Sequence, residues 1–172
     1  NAAKKNEGID VLINNAAVSQ ELKTIDQMNL EEFEYVFRNN VFSVFNTIKY
    51  VIPIMRSQTK GMIINISSRC SRRAVPRLSA YCSSKFALRG ITEAVAKEVE
   101  GTQIKCISIS PGGINTDMRK DLFGEEDAKN QQDPKRVAEI ICDIIQEKIQ
   151  VPNGADVVIV KNNQPQIRVP EV

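Results

Sequence analysis

Four polar residues stand in an order that suggests proton transfer between a carbonyl and an alcohol: Tyr81, Lys85, Ser68 and Asn40. Lys85 follows Tyr81 by four residues, and Ser68 precedes it by thirteen. On a helix, residues four apart share a face, and a nearby ammonium lowers a phenol pKa that starts at about 10. Tyrosine would then serve as a general acid or base near neutral pH, in a chain without histidine. Taken alone, the Tyr-Lys pair is better explained as a solvated contact on a helix surface.

The composition indicates one ordinary globular domain over residues 1–172. Fractions of 42% apolar and 26% charged residues are typical of such domains, and no apolar run is long enough to cross a bilayer. A net charge of +2 predicts neither a nucleic-acid partner nor a membrane partner. Four cysteines without a CxxC pair, in a chain without histidine, argue against a metal site. Reduced cysteines favour a cytoplasmic protein.

Strands and helices alternate along the sequence. The predicted elements are strands at 9–13, 62–66, 104–109 and 156–160 and helices at 30–57, 79–100 and 134–149. Such alternation predicts an α/β fold, in which a doubly wound parallel sheet carries helices on both faces. Segment 119–133 is predicted as a mobile loop or short helix, and the polar tail 161–172 as a surface segment.

Polar or backbone-rich residues follow three of the predicted strands. They are Asn14-Asn15, Ser67-Ser68 and Pro111-Gly112. Because ligands of open α/β sheets bind at the carboxyl ends of the strands, these residues are expected on one ligand-binding rim.

Five motifs together resemble the classical short-chain dehydrogenase/reductase family. They are Ile13 to Ala17 (INNAA), Asn40-Val41, Ile66 to Ser68, Tyr81 to Lys85 (YCSSK) and Pro111 to Thr116 (PGGINT). The resemblance covers nearly all of residues 9–160 and implies a Rossmann-like fold. Ala17 departs from the glycine that the family usually has at this place.

The resemblance implies catalytic roles for four residues. Tyr81 would protonate the carbonyl oxygen during reduction, and Lys85 would lower the pKa of Tyr81 and bind the nicotinamide ribose. Ser68, rather than its neighbour Ser67, would hold the substrate oxygen. Asn40, with Asn39 as an adjacent rival, would fix a water that relays protons to Lys85.

The resemblance also implies a nicotinamide cofactor. The implied cofactor-binding residues are Asn14, Ala16, Ala17, Tyr81, Lys85, Pro111, Gly112 and Thr116. None of the eight glycines supplies the TGxxxGxG turn with which the family begins. The chain is therefore expected to be the C-terminal catalytic portion of the fold, without the segment that selects NAD or NADP; we expect NADP in preference to NAD.

The sequence thus predicts an NAD(P)-dependent oxidoreductase that acts on a small carbonyl or alcohol substrate. The alternative is a truncated, non-enzymatic dimerisation or regulatory module of the same fold. The family pairs the helices that correspond to 30–57 and 79–100, so a homodimer or homotetramer is expected through them.

The loop between Ser68 and Tyr81 is rich in arginine. It contains Arg69, Arg72, Arg73 and Arg77. Arginine forks bind carboxylates and phosphates well, so the loop could recognise an acidic substrate or a cofactor phosphate. A plain solvated loop is the favoured explanation from sequence alone.

Overall fold

The computed structural model describes residues 8–170 and shows one five-stranded sheet in the order β1-β2-β3-β4-β5. The strands are β1 (Val11–Asn14), β2 (Lys60–Ile66), β3 (Gln103–Pro111), β4 (Asp156–Ile159) and β5 (Gln166–Arg168). Neighbours from β1 to β4 pair in parallel, whereas β5 is antiparallel to β4. The four predicted strands are confirmed, with small differences at their ends.

Six helices flank the strands in the described part of the chain. They are α1 (Leu30–Phe37), α2 (Ser43–Gln58), α3 (Ser79–Glu98), α4 (Asp117–Phe123), α5 (Glu125–Lys129) and α6 (Pro134–Ile145). Local chemistry explains where they begin. Asn29 and Glu32 form a reciprocal capping box at the start of α1. Asp133 caps α6 by accepting a hydrogen bond from the Lys135 N–H, and proline follows at the first helical position.

The core has two layers because successive strand residues point to opposite faces of the sheet. In β2, Ile63 is fully buried among residues of α2 and α3, including Leu88. Its neighbour Ile64 is fully buried on the other face, where Ile140 of α6 packs. The protein therefore has the predicted Rossmann-like arrangement, a largely parallel sheet with helices on both faces.

The predicted helix 30–57 is helical throughout, but its hydrogen-bond pattern changes in the middle. A π-helical segment, Arg38–Phe42, separates α1 from α2, and the Ser43 N–H donates to the Arg38 carbonyl five residues back. The apolar spacing did not reveal this segment, because the apolar residues of 30–57 occupy more than one helix face, so a shift of the face is not visible among them. Asn40 and Val41 of the segment are buried, so it changes which side chains face the interior.

Two further segments are defined more closely by the structure. The charged region 119–133 contains most of α4 and all of α5, which agrees with the short-helix alternative. The polar tail does lie on the surface, but its residues Gln166–Arg168 add a strand that covers β4. Within residues 8–170, none of the helices combines the length and the apolarity that crossing a bilayer requires.

Candidate active site

The carboxyl ends of β1, β2 and β3 meet on one rim, as predicted. Asn14 is the last residue of β1 and pairs in register with Asn65, just before the end of β2. Pro111 ends β3, and the following Gly112 N–H donates to the Ile159 carbonyl at 2.8 Å. The three polar strand ends of the sequence therefore belong to neighbouring strands.

Tyr81 and Lys85 lie one turn apart on α3, beside this rim. The Lys85 side chain is 2% exposed, and its ammonium donates to the Ile66 carbonyl at 2.9 Å. The same nitrogen lies 5.6 Å from the centre of the Tyr81 ring. The pair is thus not a solvated surface contact: its ammonium is held at the end of β2 by a backbone carbonyl.

Burial governs the protonation of both groups. It raises the pKa of Tyr81 to about 12, although a hydrogen bond from the Ser68 side chain opposes the rise. Burial lowers the pKa of Lys85 to about 8, with a smaller opposing effect from Cys70. In the protein by itself, desolvation of the phenolate outweighs the Ser68 hydrogen bond, so the pKa of Tyr81 lies above its ordinary value; the lowering of this pKa by Lys85 stays a prediction. The phenol is therefore protonated at neutral pH.

The structure separates the two candidate serines. The Ser68 hydroxyl accepts the Cys70 N–H at 3.1 Å and also contacts the Tyr81 phenol. The Ser67 hydroxyl is buried and donates to the Lys85 carbonyl at 3.2 Å. Ser67 thus braces the backbone of α3, while Ser68 is the serine beside the phenol.

Asn40 lies inside the protein and clamps the segment that follows β1. Its Oδ1 accepts the Val18 N–H at 2.8 Å, and its Nδ2 donates to the Val18 carbonyl at 2.9 Å. Nδ2 also donates to the Ser84 hydroxyl at 3.0 Å, which ties the clamp to α3. The rival Asn39 bonds only within its own helix, to the Tyr35 carbonyl. Both Asn40 amide hydrogens are therefore used within the protein.

Gln20 is a site residue that sequence reasoning missed. Its side chain is buried, and its Oε1 accepts the Tyr81 N–H at 3.0 Å. Its Nε2 contacts the Arg77 carbonyl at 3.4 Å. Leu78, the N-cap residue of α3, offers no side-chain cap, so Gln20, 61 positions before Tyr81, performs this task. A lone glutamine in an irregular segment carries no sequence pattern that would predict this capping role.

Asn14 belongs to a chain of buried polar side chains that joins β1 to α2 and α3. Its Oδ1 accepts from the Thr47 hydroxyl at 2.7 Å, and its Nδ2 donates to Asn65 Oδ1 at 2.8 Å. Asn65 in turn donates to the Thr92 hydroxyl at 2.9 Å. These bonds fix the end of β1, from which the predicted cofactor contacts Ala16 and Ala17 continue; Ala16 is exposed and Ala17 is half-buried.

The loop after β3 offers groups that fit a nicotinamide. Asn115 Oδ1 is buried and has no hydrogen-bond partner within residues 8–170, so it is an acceptor that a carboxamide NH₂ could use. The Thr116 hydroxyl caps α4 by accepting the Arg119 N–H, an unexpected structural task for a predicted cofactor contact. A Cβ at Gly113 would clash with the end of the Gln131 side chain, so a larger residue there would require that side chain to move.

The arginine-rich loop is tied to the sheet. Arg72 Nε donates to Asp156 at 2.5 Å, and Asp156 is 2% exposed. The Ser108 and Ser110 hydroxyls donate to the same carboxylate at 2.7 and 2.6 Å. Arg77 donates to the Leu22 carbonyl on the opposite side of the loop. Two of the four arginines are therefore structural, which the sequence did not show.

Comparison with known proteins agrees with the geometry. The sequence profile described as short chain dehydrogenase matches residues 1–127. An NADPH-dependent pterin aldehyde reductase of Arabidopsis thaliana is 36% identical over 116 residues, which are 67% of this chain and 47% of that protein. The chain spans about half the length of the curated relatives it matches.

Two solved structures extend the likeness beyond residue 127. Levodione reductase superposes with a TM-score of 0.84 at 25% identity, covering 92% of this chain and 67% of the other. ElxO with NADP bound superposes with a TM-score of 0.83 at 26% identity, covering 92% and 68%. The fold on which the candidate site is built is therefore shared with a reductase and with a protein that binds NADP.

Proposed function

The chain belongs to the short chain dehydrogenase family, and from this premise we propose that it carries the catalytic centre of an NAD(P)-dependent oxidoreductase. The reaction would transfer a hydride between nicotinamide and a carbonyl or alcohol substrate. One observation carries the proposal: the buried Lys85 ammonium lies beside the Tyr81 ring, and the Ser68 side chain contacts the phenol. The non-enzymatic alternative is not favoured, because the matched relatives bear the names of reductases and dehydrogenases.

Tyr81 would act as the general acid in reduction. Because burial raises its pKa to about 12, the phenol holds its proton at neutral pH and can donate it to a carbonyl oxygen. The Ser68 hydroxyl would donate a hydrogen bond to the same oxygen and hold it in place. Lys85, as an ammonium, would stabilise the phenolate that remains after proton transfer.

The bound nicotinamide cofactor would supply or accept the hydride. The rim residues proposed to hold it are Asn14, Ala16, Ala17, Lys85, Pro111, Gly112 and Thr116. To these we add Asn115, whose buried Oδ1 lacks a partner in the described part of the chain. We propose NADP rather than NAD on the names of two matched proteins, an NADPH-dependent reductase and an NADP complex.

The proton that leaves Tyr81 must be replaced from solvent. We propose that Asn40 supports this relay by holding the segment at Val18 and the Ser84 hydroxyl close to Lys85. A water fixed beside Asn40 would complete the path, as the family resemblance predicts.

Self-association is proposed through α1 to α3. These helices and the π-helical segment between α1 and α2 expose large apolar side chains, among them Tyr35, Phe42, Phe45, Tyr50 and Phe86. Such a surface is unusual for a face that meets only water. A symmetric pairing of two copies would cover it and give a homodimer or homotetramer.

Single substitutions with a matched control test the catalytic assignment. Tyr81→Phe should lower NADPH-dependent reduction of carbonyl compounds at least about a hundredfold, since it removes the general acid. Tyr35→Phe removes an equivalent hydroxyl from an exposed tyrosine and should leave the rate unchanged. Equal rates for the Tyr81 and Tyr35 variants would refute the role of Tyr81. Binding of NADPH and NADH, measured by calorimetry, decides the cofactor preference.

A further inference from the structure

Arginines from two distant segments line one open cleft at the edge of the sheet. Arg69, Arg72 and Arg73 come from the loop after β2, and Arg168 comes from β5. The cleft also presents the amides of Asn163 and Gln166, has Val158 in its floor and has a volume of about 520 Å³. We call this site the arginine cleft.

The charge of the arginine cleft is not balanced by its own walls. None of the residues that line it is acidic. Arg72 is neutralised by Asp156 beneath it, but Arg69, Arg73 and Arg168 form no ion pair with any residue between 8 and 170. Three like charges around one concavity repel each other, and a bound anion would relieve this repulsion.

The wall of the cleft is held in place before any ligand binds. Arg72 is anchored to the buried Asp156, which also accepts the Ser108 and Ser110 hydroxyls. From α3, the Arg89 guanidinium donates to the Ser71 carbonyl at 3.1 Å. Because the backbone between Arg69 and Arg73 is fixed at its centre, an anion would meet guanidinium groups carried by an ordered backbone and not by an unstructured loop.

The cleft adjoins the proposed reaction centre. Arg69 directly follows Ser68, and a Cβ placed on Gly112 would lie 3.3 Å from the Arg69 Cδ. The aliphatic part of the Arg69 side chain therefore lies against the start of the loop that follows β3. A group bound in the cleft can belong to the molecule whose carbonyl lies at Ser68.

We propose that the arginine cleft binds a carboxylate or phosphate group of the substrate. The substrate of the proposed oxidoreductase would thus be a carbonyl compound or alcohol that carries an acidic group away from the reacting carbon. Arg69, Arg73 and Arg168 would form charge-assisted hydrogen bonds with the anion, and Gln166 and Asn163 would complete its partners. This inference rests on the proposed function for the identity of the ligand, but not for the existence of the anion site.

Binding to the purified protein without cofactor tests the anion site on its own. Calorimetry with glycerol 3-phosphate, malonate and neutral glycerol should show binding of an anion and none of glycerol, and the tighter anion identifies phosphate or carboxylate. Arg69→Gln and Arg168→Gln should each raise the Kd roughly tenfold or more, the loss of one charge-assisted contact. Lys97→Gln removes an exposed charge from the end of α3 and should leave the Kd unchanged. Equal binding of glycerol and the anions, or equal Kd values for all three variants, would overturn the site.

A kinetic comparison tests the link to the substrate. Succinic semialdehyde and butanal share an aldehyde on a four-carbon chain, but only the former carries a carboxylate. Arg69→Gln and Arg168→Gln should lower kcat/KM for succinic semialdehyde about tenfold and leave that for butanal unchanged. An equal loss for both aldehydes would refute substrate recognition by the cleft. If neither aldehyde nor any other carbonyl is reduced, the proposed function fails, whereas calorimetry still decides the anion site.

Discussion

Replacing Gln20 by alanine should lower catalysis although Gln20 is not expected to touch the substrate. The Gln20 Oε1 accepts the N–H of Tyr81 in the first turn of α3, at 3.0 Å. The Nε2 of the same side chain reaches the Arg77 carbonyl, where the arginine-rich loop enters the helix. Gln20→Ala removes both contacts and leaves a first-turn N–H without its acceptor. The start of α3, and with it the proposed general acid, would then be held less firmly.

The expected size of the effect follows from these contacts. Loss of a helix cap costs about 0.5–2 kcal/mol, and a buried donor left unpaired costs about 1–3 kcal/mol. We therefore expect Gln20→Ala to lower the free energy of unfolding by about 1–2 kcal/mol. A displacement of about 1 Å at a reacting group can cost about a hundredfold in rate. We expect kcat to fall at least about tenfold, and Gln20→Glu, which keeps the acceptor oxygen, to recover most of it.

Gln58 provides a matched control. Its Oε1 accepts the Ile9 N–H at 2.8 Å, and its Nε2 donates to the Ile9 carbonyl at 3.1 Å. It is thus another glutamine that braces a backbone, but it lies before β2 and makes no contact with Tyr81. Urea denaturation of both alanine variants should show similar losses of stability, whereas steady-state assays should show a fall in kcat for Gln20→Ala alone. If both variants lose kcat equally, or if neither does, the positioning role of Gln20 is refuted.

Three other substitutions probe the buried charges and the apolar surface. Asp156→Ala leaves Arg72 and two serine hydroxyls without their buried partner, so the free energy of unfolding measured in urea should fall by about 3–5 kcal/mol. A fall of less than about 1 kcal/mol would contradict the structural role of Asp156. Burial lowers the Lys85 pKa from 10.5 to about 8, so between these values the unfolded chain binds more protons. The free energy of unfolding should then rise from pH 8 to 10 relative to Lys85→Met, and a constant difference between the two proteins would refute the shift. Phe45→Glu should reduce self-association in analytical ultracentrifugation, whereas an unchanged sedimentation profile would exclude this helix face as the interface.

The sequence predicted the strands and site residues that depend on local patterns. β2 and β3 are apolar runs that must be buried, and alternation with helices implies parallel pairing. Tyr81, Lys85 and Ser68 were identified through the short motifs that carry the family resemblance; taken alone, the Tyr-Lys pair favoured a solvated surface contact. Each of these features is encoded within a few residues, so one sequence is enough to recognise it.

The features that escaped prediction depend on partners far apart in the chain. The bond from Gln20 to Tyr81 joins residues 61 positions apart, and that from Arg72 to Asp156 joins residues 84 apart. A glutamine in a loop or an arginine among arginines has the same local appearance whether it faces solvent or a buried acceptor. The strand β5 escaped for a related reason: its three exposed residues carry no apolar pattern, and only pairing with β4 defines it.

The π-helical segment connects these observations. In an α-helix each residue turns by about 100°, so one additional residue in the turn changes the direction of every side chain that follows. Here the segment places Asn40 inside, where it clamps both backbone groups of Val18. Two residues further on, Gln20 binds the backbone of Tyr81. Asn40 therefore holds one end of the segment that follows β1, and Gln20 at the other end of this segment holds the backbone of Tyr81. In this way the π-helical segment before α2 helps to position Tyr81 on α3.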